Sequence, residues 1–119
     1  MLNIADNRIG NDGLAVISPA LNKDCVLIIF NLSNNDLDGV LAIEHLSNYI
    51  ITSKTLVELN LGNNGLGDAA ISKLGQIFND NKCHLQRLGL QNCQITASGA
   101  SALFEGIRLN MYLKHLNLS

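Results

Sequence analysis

This sequence is short of what nucleic-acid-binding and membrane proteins use. Aromatic residues are 4% of the chain, too few for a platform on which bases stack. Eight Lys and Arg stand against ten Asp and Glu, a formal charge of −2. No basic block draws the chain toward nucleic acid or an anionic surface. The longest apolar run, Val26 to Phe30, is five residues, so no membrane span fits. No charged start leads into a long apolar stretch, and no signal peptide is expected. A single proline, Pro19, leaves almost every segment free to be regular.

What is present is a period. The pattern LxxLxLxxN reads LIIFNLSNN from Leu27, LVELNLGNN from Leu56 and LQRLGLQNC from Leu85, where Cys93 replaces Asn. The chain opens inside a copy (LNIADN, Leu2 to Asn7) and closes inside another (LKHLNLS, Leu113 to Ser119). Successive copies start 29, 29 and 28 residues apart. A fixed period of that length means stacked equivalent units rather than one mixed core. The expected organisation is a single domain, 1–119. It holds about four units (1–26, 27–55, 56–84, 85–112) and a partial fifth strand, 113–119. Both ends fall mid-unit and lack polar caps, so the chain is expected to be a fragment of a longer array.

Within the unit from Leu56 to His84, Leu59 and Leu61 alternate with Glu58, Asn60 and Gly62, the period of a strand with one buried face. Leu66, Ala70, Leu74 and Phe78 follow at helical spacing, and Asp68 falls where a helix N-cap would sit. Strands separated by a helical crossover run parallel, and the crossover should be right-handed. The columns repeat along the chain: Ile17, Leu46, Leu74 and Leu103, then Leu21, Ile50, Phe78 and Ile107, on the helices. A small-residue column, Gly13, Ala42, Ala70 and Gly99, is expected where each helix start approaches its neighbour's backbone. The column Asn7, Asn35, Asn64 marks the exit from each strand, where a carboxamide can donate and accept at once. Pro19 should bend or shorten the first helix. Cys25 and Cys83 sit at the same place two units apart, hence at least ~9.6 Å apart across ~4.8 Å strand spacings, beyond the ~7 Å reach of a bridge. Three cysteines cannot all pair, and a reducing, cytoplasmic compartment is expected.

These motifs resemble the ribonuclease-inhibitor-like class of leucine-rich repeats over the entire chain. The stretch LVELNLGNNGLGDAAISKLGQIFNDNKCHLQRLGLQNCQITASGASAL is especially similar to repeats of NACHT-domain innate sensors, where Asn-type and Cys-type units alternate. Ribonuclease inhibitor itself, strongly acidic and Cys-rich, resembles it less. Ran GTPase-activating protein shares the repeat class. The resemblance implies an α/β right-handed solenoid, a horseshoe segment with a parallel sheet on its concave face and helices on its convex face.

Signals for chemistry are weak. LGNNGLGD has the order GxxGxG without the Lys or Ser/Thr of a phosphate loop, so Gly62, Gly65 and Gly67 are assigned to the repeat turn. Cys83, His84 and Cys93 match no zinc-ligand spacing. His115 has no Ser or Cys nucleophile beside it on a strained turn. The acceptor patterns at Asn31-Leu32-Ser33 and Asn117-Leu118-Ser119 lie within strands and are assigned to an Asn-rich repeat. No catalytic, cofactor or metal site is expected.

Strand alternation instead selects a surface. The residues expected on the concave face are Ile29, Asn31, Ser33, Glu58, Asn60, Gly62, Arg87, Gly89, Gln91, His115 and Asn117. Glu58 and Arg87 should be lateral neighbours, and Ile29 is an apolar side chain on a wet face. The expected role is a non-catalytic module binding another protein there, with no nucleic acid or membrane partner. Two alternatives are a segment of a GTPase-activating protein, with Arg87 the only strand-borne Arg, and a structural or dimerisation segment self-associating end to end through uncapped edges.

Overall fold

The computed structural model describes residues 1–21, 26–79 and 83–119. In chain order its elements are β1 (Leu2–Asn3), α1 (Gly10–Leu21), β2 (Ile29–Asn31), α2 (Gly39–Thr52), β3 (Glu58–Asn60), α3 (Gly67–Asn79), β4 (Arg87–Gly89), α4 (Ala97–Ile107) and β5 (His115–Asn117). The strands form one parallel sheet in the order β1-β2-β3-β4-β5. Sequential strands joined by helical crossovers, each helix beside the next, make an α/β solenoid of the expected class.

The register matches the sequence columns. Phe30, Leu59, Leu88 and Leu116 pair laterally, and all but Leu116 are buried. They pack with Leu32, Leu61 and Leu90 against Leu46, Leu74 and Leu103 from the helices. Tyr49 of α2 closes one side of this core with its ring edge-on to Phe30, centroids 6.4 Å apart. A further helix column, Leu14, Ile43 and Ile71, is fully buried and was not expected. Each of these residues directly follows a small one (Gly13, Ala42, Ala70), and the close helix approach allowed by the small residue sinks its neighbour too.

The Asn column fastens each unit to the one before it. Asn64 is buried, and its Oδ1 accepts the backbone N–H of Asn35 (2.9 Å) and Leu37 (3.1 Å). Its Nδ2 donates to the carbonyls of Leu32, Leu61 and Gly62. Asn35 repeats the arrangement toward Asn7, Ile9 and Ile4. At Cys93 a single thiol donates to Leu61 O at 3.2 Å, and burial pushes its pKa up despite the backbone groups of Asn64 and Asn63 beside it. The sulfur therefore stays a neutral thiol donor, a weaker copy of the carboxamide. Cys83 is also buried; Cys25 lies outside the described residues, so its separation from Cys83 is not described.

Asp68 does not cap its own helix. It lies inside the first turn of α3, and its carboxylate reaches the next unit, accepting the N–H of Thr96 at 2.8 Å and the Thr96 hydroxyl. Thr96 is the N-cap of α4, so Asp68 supplies from the preceding unit the acceptor that a cap side chain would supply locally. Asn11 also reaches into the next unit, its Oδ1 accepting the N–H and its Nδ2 donating to the carbonyl of Asp38, the N-cap residue of α2. The hydrogen bonds from the Thr96 hydroxyl and amide, joined by that of Gly99, hold the Asp68 carboxyl below the usual aspartate range. A depressed folded-state pKa stabilises the fold above the unfolded value, about 4, and that contribution is lost as pH falls through the folded value. Asp68→Asn should therefore be less stable than the parent at neutral pH, with the gap closing below about pH 4. Urea midpoints measured over that range check this; a gap that widens in acid would contradict it.

Two other positions bear on the expectations. α1 runs through Pro19 as far as Leu21, with Pro19 on the exposed face. The small column does face the preceding unit at Gly99, where a Cβ would lie 3.1 Å from Asp68 Cα. Among the glycines a tighter backbone approach lies between α3 and α4. A Cβ on Gly106 would overlap the Gly75 carbonyl and lie 2.7 Å from Gly75 Cα.

Candidate functional site

Because the inward strand residues face the helices, the alternate positions form the solvent side of the sheet, the concave side of the solenoid. They make two lateral rows. One runs Ile29, Glu58, Arg87, His115; the other runs Asn31, Asn60, Gly89, Asn117. Glu58, Asn60, Arg87, Gly89, Gln91, His115 and Asn117 together line one shallow trough of about 280 Å³. Ile29, Asn31 and Ser33 continue the same face on and after β2, each half-buried.

Gly62 departs from the expectation: it is buried and presents nothing to a partner. The Gln91 side chain folds back across it, so that a Cβ there would lie 2.8 Å from Gln91 Cγ. Gln91 Nε2 then donates to Asn60 Oδ1 at 3.1 Å, while Gln91 Oε1 is buried with no partner among the described residues. A long amide beside a glycine satisfies its own packing by covering that glycine, a detail alternation alone does not contain.

The first row carries the charges. Arg87 and Glu58 approach to 3.9 Å, with both side chains well exposed. Such a solvated, one-point pair is worth about 0–1 kcal/mol and leaves most of the guanidinium donors open. The second row has a structural duty. Asn31 Oδ1 accepts the N–H and hydroxyl of Ser33, Asn60 Oδ1 accepts the N–H of Gly62, and Asn117 Oδ1 accepts the N–H and hydroxyl of Ser119. Each carboxamide thus shapes the turn two residues ahead.

Other candidate groups are not brought together. Among the described residues no three His, Cys, Asp or Glu are placed to hold a metal ion. His84 packs against Tyr112 with the rings tilted, centroids 4.4 Å apart, off the trough. Among the described residues no helix is long and apolar enough to cross a membrane.

The model for a family described as "Leucine Rich repeat" matches residues 2–18, 52–75 and 81–104, more than half of the chain. The chain belongs to the leucine-rich repeat family. Its relatives place it in the ribonuclease-inhibitor-like branch of that family. NACHT, LRR and PYD domains-containing protein 14 of Mus musculus is 32% identical over 99% of this chain. Ribonuclease inhibitor of Sus scrofa is 31% identical, also over 99% of this chain. Both identities fit the resemblance to NACHT-domain repeats and to the ribonuclease-inhibitor-like class that the motifs carry. This leucine-rich repeat chain spans 12% of the length of the first relative and 26% of the second. Among solved structures, Leiomodin-1 Actin-Binding Site 2 (ABS2) superposes with a TM-score of 0.81 at 20% identity, covering 99% of this chain and 69% of that one. At that identity the likeness is one of fold alone.

Proposed function

We propose that this leucine-rich repeat segment is a non-catalytic protein-interaction module of an intracellular, cytoplasmic protein, and that its partner docks on the concave face. The observation that carries the reading is the trough across β3, β4 and β5. Glu58, Arg87 and His115 are chemically unlike one another and lie side by side on adjacent strands of one sheet. Side chains serving the fold alone repeat from unit to unit, as the core leucines do; this row does not. Ile29 extends the row with an apolar side chain positioned to anchor a contact. The relatives support the class of function: one is named as an inhibitor of ribonuclease, a role exercised on another protein.

Replacing Ile29, Glu58 and Arg87 together by Ala should weaken capture of a partner at least about tenfold, the effect of losing a small cluster of contact residues. The far-ultraviolet circular dichroism should be unchanged, because none of the three is in the core. Undiminished capture would remove the concave face as the docking site.

A further inference from the structure

The second row of the concave face has a consequence for the chemistry of the partner, and this step rests on the docking face proposed above. A backbone N–H can only donate, so whatever it bonds must be the oxygen of the carboxamide. The N–H groups of Ser33, Gly62 and Ser119 therefore fix the orientation of Asn31, Asn60 and Asn117, with Oδ1 turned back onto the chain. Their Nδ2 groups are left on the other side, and among the described residues none of the three donates to a protein acceptor. The one long amide near them, Gln91, spends its own Nε2 on Asn60 and keeps its Oε1 buried. Beside this row stands Arg87, held by Glu58 at one point only. The face is therefore rich in outward donors, and among the described residues lining the trough Glu58 is the only carboxylate.

We propose that the occupant of this face is an acidic protein segment, whose carboxylates bridge the Arg87 guanidinium and the outward carboxamides of Asn60 and Asn117. The spacing suits this, because laterally adjacent strands lie ~4.8 Å apart and carboxylates on an extended segment can meet donors on successive strands. A charge-assisted bond to Arg87 supplies the strength, and the amides supply register. A basic or purely apolar segment would leave these donors desolvated and unpaired, which is costly. His115, beside Arg87 in the first row, borders the same trough.

The test uses ¹⁵N-labelled chain and three short peptides alike except that alternate positions carry Glu, Gln or Lys. The Glu peptide should shift the side-chain amide signals of Asn31, Asn60 and Asn117 and the Nε–H of Arg87. It should bind at least about tenfold more tightly than the Gln peptide, the margin of a charge-assisted contact over a neutral one. The Lys peptide should leave those signals in place. The paired change Asn60→Asp and Asn117→Asp keeps the oxygen each turn needs and puts a negative charge where each outward donor stood. That variant should unfold at the parent temperature and lose the Glu peptide by about tenfold or more. If the variant fails to fold, the exposed Arg87→Gln change serves, with the same loss expected.

Equal binding of the Lys peptide, shifts confined to the helices, no shifts at all, or full Glu-peptide binding by the Asp variant would overturn the proposal. Its failure is distinguishable from failure of the docking face. A partner lost on replacing Ile29, Glu58 and Arg87 while the Glu peptide does not bind leaves the face intact and removes only the acidic partner. A partner retained by that triple variant removes the face.

Discussion

Asn64→Ala should cost about 3–5 kcal/mol and lower the unfolding midpoint by roughly 10–20 °C. The estimate follows from what is stranded. Two buried backbone donors, Asn35 N–H and Leu37 N–H, lose their acceptor, and each such orphan costs about 1–3 kcal/mol. Three carbonyls, of Leu32, Leu61 and Gly62, lose a donor, a smaller penalty because a carbonyl has a second lone pair. The comparison that makes the test specific is within the column itself. Asn64→Cys should cost less than Asn64→Ala, because the thiol of Cys93 already shows that sulfur can serve the carbonyl of Leu61. Asn7→Ala should cost least, because Asn7 is exposed and donates only to Ile4 and Ala5 of its own turn. Urea titrations of the three variants give the order. An Asn64→Ala cost no larger than that of Asn7→Ala would show that the column is compositional rather than structural.

The legible share of this molecule is what is local and periodic. Leu59 and Leu61 alternate with Glu58 and Asn60 whatever surrounds them, so strand, face and register follow from the repeat length alone. The Glu58–Arg87 pair was legible for the same reason. What escaped depends on how one unit rotates against the next. Asp68 looks like a cap for α3, yet the helix begins one residue earlier, at Gly67 in a left-handed conformation. Its carboxylate is thereby carried past its own helix start to Thr96, 28 residues on. Gly62 alternates outward in sequence but is covered by Gln91, a side-chain choice made across two strands. The donor character of the concave row was hidden too. An Asn in a sequence has no orientation until its oxygen has a partner.

Gly106→Ala separates two opposed rules, and the second should win. Helix propensity favours the change: an Ala within a helix is worth up to about 1 kcal/mol over Gly. Packing opposes it. The new methyl would sit on the Gly75 backbone, overlapping its carbonyl and 2.7 Å from its Cα. Gly75 has no side chain to turn aside, so α3 and α4 would have to move apart. That movement would loosen Leu74 and Leu103, which are fully buried on the same two helices. Overpacking against backbone costs about 1–3 kcal/mol and sometimes more, and lost core contact adds to it, so a net loss of about 2–4 kcal/mol is expected. Gly75→Ala should cost less, since its Cβ would meet the Ala102 carbonyl at 2.8 Å and Leu103 Cα at 3.2 Å, contacts a small helix shift can relieve. Ser101→Ala, on the exposed face of α4, reports propensity without packing and should be neutral or slightly stabilising. Thermal unfolding of the three variants decides the matter. If Gly106→Ala raises the midpoint as Ser101→Ala does, the two helices do not touch backbone to backbone, and the glycine pair is an accident of sequence rather than a close joint between α3 and α4.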